Sequence, residues 1–143
     1  MDGRPLKEAK NCAHMLVERL DSNDRLSIIT YDDQVDVLSP TQNVTSKGRL
    51  NRQISRIRSG GMTALYDGWS VGAEQVTLHA GKNYLSRVLL LSGGQANQGE
   101  TDEVTISNHC QSMAEYGVTT STYGLSEHFN ENLMTAMAKS GQG

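Results

Sequence analysis

The sequence predicts a doubly wound α/β fold, in which helices cover both faces of a mostly parallel sheet. Apolar residues recur at helical spacing in several stretches, and short runs rich in β-branched residues lie between them. The run RVLLLS at residues 87–92 holds four apolar residues in a row, which is typical of a strand covered on both faces. Because 143 residues with 36% apolar content can build one core, we expect a single three-layer domain over residues 1–143.

The individual elements follow from periodicity and from the residues at their ends. We predict helices over residues 6–20, 50–57, 65–80, 101–116 and 130–139, and strands over residues 26–31, 35–38, 87–92 and 118–125. The two early strands flank a short turn and are predicted to form a hairpin. Pro5 suits the first turn of the first helix. Asn130 is a favourable N-cap for the last helix, with Phe129 placed to pack against Met134, and Trp69 is predicted to be a core residue.

Charge and hydropathy exclude several classes of partner. The net charge is −3, and the 13 basic and 16 acidic side chains are mixed along the chain without a basic stripe, so we expect no nucleic-acid partner. No apolar run approaches the roughly 20 residues that cross a bilayer, and the first residues lack the apolar centre of a signal peptide. We expect no membrane span and, by default, a cytoplasmic location. Cys12 and Cys110 fall in separate predicted helices, which favours free thiols.

No constellation of catalytic side chains stands out, so we expect no enzymatic activity. The four histidines show no paired spacing suited to zinc, and Cys12 and His14 stand two residues apart, which points them away from one another on a helix. LSGGQ at residues 91–95 spells the signature of ABC-transporter ATPases, but no phosphate-binding loop surrounds Gly81-Lys82, the only Gly-Lys pair. We interpret LSGGQ as a turn that leaves a buried strand.

Six segments of the chain form a series: DGRPLKEAK, DRLSIITYDDQVDVL, GGMTALYDGW, RVLLLSGGQANQGETD, GVTTSTYGL and FNENLMTAMA. In order and spacing they resemble the von Willebrand factor A domain, particularly its bacterial members. The resemblance covers nearly the whole chain. It implies a Rossmann-like, mostly parallel sheet with one antiparallel hairpin strand, and it implies a non-enzymatic protein-interaction module.

The resemblance also implies a metal position, from which this sequence departs. Such domains usually carry a metal-ion-dependent adhesion site with an Asp-x-Ser-x-Ser loop, a Thr in a second loop and an Asp in a third. Thr63 matches the second loop, Gly94 stands where the third loop has its acid, and the first loop is missing. Other acids are better explained as turn or helix-terminus residues, namely Asp32, Asp33, Asp67 and Asp102. Since Mg²⁺ and Mn²⁺ prefer oxygen shells that include a carboxylate, we expect no metal cofactor, with Thr63 as a vestige.

The resemblance further implies that the element pattern is truncated at both ends. The family places its first strand at the centre of the sheet, between the strands at residues 26–31 and 87–92, and this chain starts after it. A final strand and helix are also missing. Unpaired strand edges cost free energy and invite association. We expect the gap to close by direct pairing of its two neighbours, by a homodimer, or by strand complementation from a separate chain.

The predicted binding face lies at the carboxyl ends of the strands, where ligands of open α/β sheets gather. Its candidate residues are Thr63, Asp67, Gly93, Gly94, Gln95 and Asn97. A protein partner is expected there, of unknown identity. Two alternatives stay open. In the first, the loop at residues 93–95 binds a small anion or nucleotide through its backbone N–H groups, although it has no Lys or Arg. In the second, the chain is a truncated remnant that binds no ligand.

Overall fold

A computed structural model describes residues 3–58, 61–78, 85–126 and 129–143. Within them lie the helices α1 (Arg4–Arg19), α2 (Lys47–Ser55), α3 (Leu65–Thr77), α4 (Glu103–Glu115) and α5 (Glu131–Ser140), and the strands β1 (Arg25–Tyr31), β2 (Val35–Asn43), β3 (Ser86–Ser92) and β4 (Val118–Gly124). The predicted α/β class is confirmed. The predicted end of the third helix at Ala80, the Gly81-Lys82 pair, His79 and His128 fall outside the described residues. No helix within the described ranges is both long and apolar enough to cross a membrane.

The helix starts follow local side-chain chemistry. Asn130 caps α5 as predicted, because its Oδ1 accepts a hydrogen bond from the Leu133 N–H at 3.4 Å. Asp102 caps α4 in the same way, accepting from the Thr105 N–H at 2.9 Å and from the Thr105 hydroxyl at 2.7 Å. Those two hydrogen bonds lower the pKa of the Asp102 carboxyl. Pro5 lies in the first turn of α1, where a missing N–H costs nothing.

The strands form two separate two-stranded sheets. β1 pairs antiparallel with β2, as the predicted hairpin requires, and β3 pairs parallel with β4. β1 and β3 exchange no ladder hydrogen bonds, and no described strand lies between them. Direct pairing of these two strands, one of the three predicted ways to close the gap, therefore does not occur. Helix α3 packs on both β1 and β3, and it thereby connects the two sheets.

The hydrophobic interior of the described residues is divided in the same way. The larger cluster joins α3, α4 and α5 to β3 and β4, and contains Leu65, Trp69, Ala73, Val88, Leu90, Ile106, Cys110, Val118, Leu133, Met134 and Met137. The smaller cluster joins α1 and α2 to the hairpin, and contains Val17, Val44, Leu50 and Ile54. Trp69 is buried, as predicted, and Phe129 packs against the cluster that includes Met134. Both cysteines are free, with Cys110 buried and Cys12 half-buried.

Other groups of the molecule engage the backbone of the outer strands. In β2, the Gln53 amide donates to the Leu38 carbonyl at 3.3 Å, and the Thr41 N–H donates to Gln75 Oε1 at 3.0 Å. On β4, the N–H of Thr120 donates to the Gly141 carbonyl at 3.1 Å. The residues that follow α5 thus lie along the edge of β4 that faces away from β3. Both outer strands are therefore partly blocked against further pairing.

Candidate functional site

A small recess lies where β1 and β3 end. Its lining consists of Tyr31, Asp32, Met62, Thr63, Ser92 and Gly94. Its interior volume is about 20 Å³, enough for about one water molecule. The recess is therefore too small to enclose a cofactor or metabolite.

Two loops around the recess are clamped together. The Thr63 N–H donates to the Asn97 side-chain oxygen at 2.7 Å, and the Asn97 N–H donates to the Thr63 carbonyl at 3.1 Å. The next N–H, that of Ala64, donates to the carbonyl of Asp32 at 2.7 Å. These three bonds tie the segment before α3 to the loop after β3 and to the end of β1. The loops are thereby held in one arrangement.

A second set of bonds fixes the base of the loop after β3. The Ser126 hydroxyl donates to the Gly93 carbonyl at 2.6 Å, and the Leu125 N–H donates to the Ser92 carbonyl at 3.0 Å. On the other side, the Tyr31 hydroxyl reaches across from β1 and donates to the Leu91 carbonyl at 3.2 Å. The loop is thus anchored by β4 on one side and by β1 on the other.

Gly94 directly faces Thr63. A Cβ atom placed on Gly94 would lie 3.2 Å from the Thr63 hydroxyl oxygen, so any side chain at this position would start beside that hydroxyl. The geometry places together the two positions that the family resemblance matched to its metal site. Asp67 lies further along, in the first turn of α3, where Gly99 at φ +66° approaches its carboxylate so closely that a Cβ would be 3.0 Å from Oδ2.

Of the candidate residues from the sequence, Thr63 and Gly94 line the recess. Asn97 is hydrogen-bonded to Thr63 beside it, and Gly93 contributes its carbonyl to the anchor described above. Gln95 is exposed on the same loop. Tyr31, Met62 and Ser92 also line the recess but were not among the candidate residues named from the sequence. In the sequence, these residues are marked only by their position at the end of a predicted strand or beside a predicted loop. That position does not show which strand ends are neighbours in the fold.

One acidic residue, Asp32, is among the residues that line the recess. The pKa of Asp32 is lowered, first by the hydrogen bond from the Gln34 N–H, at 2.8 Å from Oδ1, and then by the side chain of Asp33. Asp32 is therefore ionised at neutral pH. Burial raises the pKa of Tyr31 to about 12, so its hydroxyl stays a neutral donor.

The described donor atoms do not fit a divalent metal. Beside the Thr63 hydroxyl, the recess offers one carboxylate, Asp32, and one of its oxygens is already engaged by Gln34. No group of three or more His, Cys, Asp or Glu within the described ranges is placed to hold a metal ion. Mg²⁺ wants about six oxygens in a near-octahedral shell. These residues alone fall short of that shell.

The described histidines and the buried cysteine lie apart from the recess. His14 Nδ1 lies 2.7 Å from the Asn51 side-chain oxygen, and His109 Nδ1 lies 2.8 Å from the Tyr66 hydroxyl. Burial raises the pKa of Cys110 to about 12, which leaves it a thiol at neutral pH. Each of these groups is a packed or hydrogen-bonded structural side chain.

The fold and site define a class: an α/β domain with a cluster of loops at the carboxyl ends of its strands. The chain belongs to the von Willebrand factor type A domain family, whose profile matches residues 1–143. Domains of this family are generally protein-interaction modules and usually not enzymes.

Two curated bacterial proteins are similar in sequence. The uncharacterized protein sll0103 of Synechocystis sp. is 30% identical over 143 residues, which is 100% of this chain and 33% of that protein. The uncharacterized protein YfbK of Escherichia coli (strain K12) is 29% identical over 130 residues, covering 90% of this chain and 23% of that protein. The chain thus spans a third or less of the length of these relatives.

Solved structures share the fold. The conserved hypothetical protein BatB from Bacteroides thetaiotaomicron has a TM-score of 0.75 at 16% identity, covering 96% of this chain and 77% of that one. Proximal thread matrix protein 1 from the mussel byssus, whose metal-ion-dependent adhesion site holds zinc, has a TM-score of 0.75 at 17% identity, covering 94% of this chain and 36% of that one. At these identities the likeness concerns the fold alone.

Proposed function

We propose that the chain is a non-enzymatic protein-interaction module that binds its partner through the recess and the loops around it, without a metal ion. One observation carries this proposal: the reciprocal hydrogen bonds between Thr63 and Asn97 hold two loops in a fixed arrangement. A surface that is ordered before binding avoids the conformational cost of ordering on association. The fixed loops therefore suit partner binding even though the described residues make no metal site.

The proposed binding face consists of Thr63, Asp67, Gly93, Gly94, Gln95 and Asn97. Exposed Met62 adds an apolar contact at its rim, with 49% of its surface accessible. Asp32, which is among the residues that line the recess, adds an exposed negative charge to this surface. A protein segment that carries a Lys or Arg next to an apolar side chain matches this combination.

The same charge weighs against the anion-binding alternative. A phosphate seated on the N–H groups of residues 93–95 would lie near Asp32, and the side chains that line the recess include no Lys or Arg. Like charges at such short range disfavour binding. A remnant that binds no ligand stays the other alternative, and it is an outcome of the experiment below.

The module also associates, either as a homodimer or by strand complementation. Among the described residues, β1 and β3 pair neither with each other nor with a strand between them. This supports the association, because strand edges that lack partners invite further pairing. Light scattering after size exclusion at micromolar concentrations is expected to show a species larger than 15.6 kDa. A cooperatively melting monomer across that range would contradict the homodimer and leave strand complementation by a separate chain.

The binding face is tested by quantitative affinity purification in a buffer with chelator, comparing the wild-type chain with Asn97→Ala. The substitution removes the side-chain half of the clamp, so we expect at least a tenfold loss of the partners that the wild type retains. Tyr116→Ser is the matched control, because this exposed residue follows α4 at the opposite end of the strands. If the chelator abolishes binding, the partner requires a metal. If Asn97→Ala binds like the wild type, or nothing is retained, the proposed face is wrong.

A further inference from the structure

We propose that the outer face of α2 is a second binding surface of this domain, which takes an acidic segment of a protein partner through three arginines. This arginine face consists of Arg49, Arg52 and Arg56, all of them exposed, and of the cavity next to Arg49. The cavity borders the start of β1, where Asn43 pairs with Arg25, whereas the recess lies at the end of that strand. The seven residues of β1 separate the two by about 20 Å.

The sequence concentrates positive charge in this part of the chain. Between Asp36 and Asp67 it holds no acidic residue and five basic ones, namely Lys47, Arg49, Arg52, Arg56 and Arg58. Acidic and basic residues are mixed along the chain as a whole, so this stretch is a local exception. Since α2 occupies the middle of the stretch, the helix carries basic residues and no acidic ones.

Helical spacing turns the three arginines toward solvent. They stand three and four residues apart, which places them within an arc of about 60° around the helix axis. The other sides of α2 are occupied, because Leu50 and Ile54 are buried in the smaller cluster. Asn51 is hydrogen-bonded to His14 of α1, and Gln53 to the backbone of β2. The arginines therefore lie on the side of α2 that faces away from its described neighbours.

The three guanidinium groups have no acidic partner among the described residues. The ion pair formed there joins Arg4 to Glu8, within α1. Arg52 lies back over the first turn of α2, since a Cβ on Gly48 would be 3.5 Å from Arg52 Nη1, and its charge thus approaches that of Arg49. Like charges at this helical spacing repel one another. An acidic segment that binds here removes the repulsion and supplies the missing partners.

The cavity beside Arg49 gives one acidic side chain a place to enter. Its volume is about 130 Å³, against about 20 Å³ for the recess. Its described lining contains no acidic residue and consists of Gln42, Asn43, Thr45, Ser46, Arg49 and Leu50. An arginine fork binds a carboxylate through two parallel hydrogen bonds. A carboxylate seated beside Arg49 leaves the next two carboxylates of the segment to Arg52 and Arg56.

The length of the arginine face fits a short peptide. Arg49 and Arg56 are about 10.5 Å apart along the helix axis, and alternate residues of an extended segment are about 6.6 Å apart. Three acidic residues at alternate positions therefore match the three arginines. A nucleic-acid duplex matches less well, because it reaches beyond this face. Glu18 of α1 approaches the flank of α2, at 3.5 Å from the Asn51 amide nitrogen, and would repel the phosphates there.

A lipid surface also matches less well. A helix that binds a bilayer buries an apolar face among the acyl chains. The apolar residues of α2 point into the domain, and neither α2 nor the described lining of the cavity contributes an exposed large apolar side chain. The surface thus offers charge and hydrogen bonds without an apolar anchor.

The test follows backbone amide shifts by NMR while the 143-residue chain is titrated with a capped synthetic peptide in which three Glu alternate with Ser. We expect shifts concentrated at residues 42–56. Because exposed ion pairs are individually weak, the dissociation constant should be of millimolar order. It should rise at least fivefold when salt is raised from about 20 to about 200 mM. The control peptide, with Gln in place of Glu, should cause no shifts.

A pair of double variants separates the arginine face from net charge. Arg52→Gln combined with Arg56→Gln should raise the dissociation constant at least fivefold. The matched control, Arg87→Gln with Lys139→Gln, removes the same charge from β3 and α5 and should change it less than twofold. All four side chains are exposed, so both variants should keep the fold, which a thermal melt checks.

Each other outcome overturns part of the proposal. No shifts, or equal weakening in both double variants, overturns the arginine face. Phosphatidylserine vesicles or a DNA duplex that shift the same amides at lower concentration overturn the peptide as the occupant. The same shifts at rising protein concentration without peptide overturn it in favour of a second copy, with exposed Glu100 and Glu103 as the source of acid. Asn97→Ala should leave peptide binding unchanged, so the recess is tested separately.

Discussion

Replacing Thr120 with Val is expected to destabilise the domain more than its change in size suggests. Thr120 is fully buried on β4, and its hydroxyl accepts the indole N–H of Trp69 at 2.9 Å. Valine keeps the shape of the side chain but removes the acceptor, which leaves a buried donor without a partner. An unsatisfied buried donor costs about 1–3 kcal/mol. At about 3 °C per kcal/mol for a chain of this length, the melting temperature should fall by about 3–9 °C.

The comparison variant is Thr120→Ser, which keeps the hydroxyl and removes one methyl group at a cost of about 0.8 kcal/mol. Urea unfolding of both variants measures the two losses, and we expect the valine variant to be the less stable one. A double-mutant cycle with Trp69→Phe removes the donor, so Thr120→Val should cost less in that background. A valine variant as stable as the serine variant, or an unchanged cost in the Phe background, would refute the role of this hydrogen bond.

Three further predictions concern packing, pH and metal. Gly68→Ala should lower stability, because the new Cβ would lie 2.6 Å from a ring carbon of Tyr31. This overpacking costs about 1–3 kcal/mol and outweighs the gain in helix propensity of about 1 kcal/mol. Gly72→Ala, whose nearest contact would be an ordinary 3.6 Å, should be neutral or stabilising in the same urea assay. The free energy of unfolding should fall between about pH 9 and 12. Burial raises the pKa of Cys110 and Tyr31 to about 12, so the unfolded chain loses these protons at lower pH than the folded chain does. A free energy of unfolding that stays constant over this pH range would contradict the prediction. The melting temperature in millimolar Mg²⁺ or Mn²⁺ should equal the melting temperature in chelator. If the metal ion did bind, a hundredfold excess over its dissociation constant would stabilise the folded chain by about 2.7 kcal/mol.

The two halves of the sheet show where sequence reasoning stops. The run at residues 87–92 predicted a strand covered on both faces. β3 spans Ser86–Ser92, but only the face with Val88 and Leu90 is buried, whereas Leu89 and Leu91 on the other face are half-buried. Its hydropathy does not tell which strands lie beside it, because the two-sided apolar pattern is the same for any buried neighbour. Only the structure shows that one edge pairs with β4 while the other faces β1 without a ladder.

The recess shows the same limit at the level of single residues. Thr63 and Gly94 were found from the sequence because they match positions in a known pattern. The bond between Thr63 and Asn97 joins residues 34 positions apart, and no local rule predicts which backbone N–H an asparagine side chain will accept from. Tyr31 and Ser92 were missed for the same reason, since their role comes from two strand ends that meet in space.

The sequence by itself determined the elements, their order and the family, because periodicity, N-caps and turn residues act over a few neighbouring positions. It also determined which titratable side chains are available near the ends of the strands. The tertiary structure alone decided that the sheet is divided, that the loops are clamped and that Asp32 borders the recess. These features depend on contacts between residues that are far apart in the chain. The packing of α3 across both pairs of strands sets the geometry of those contacts.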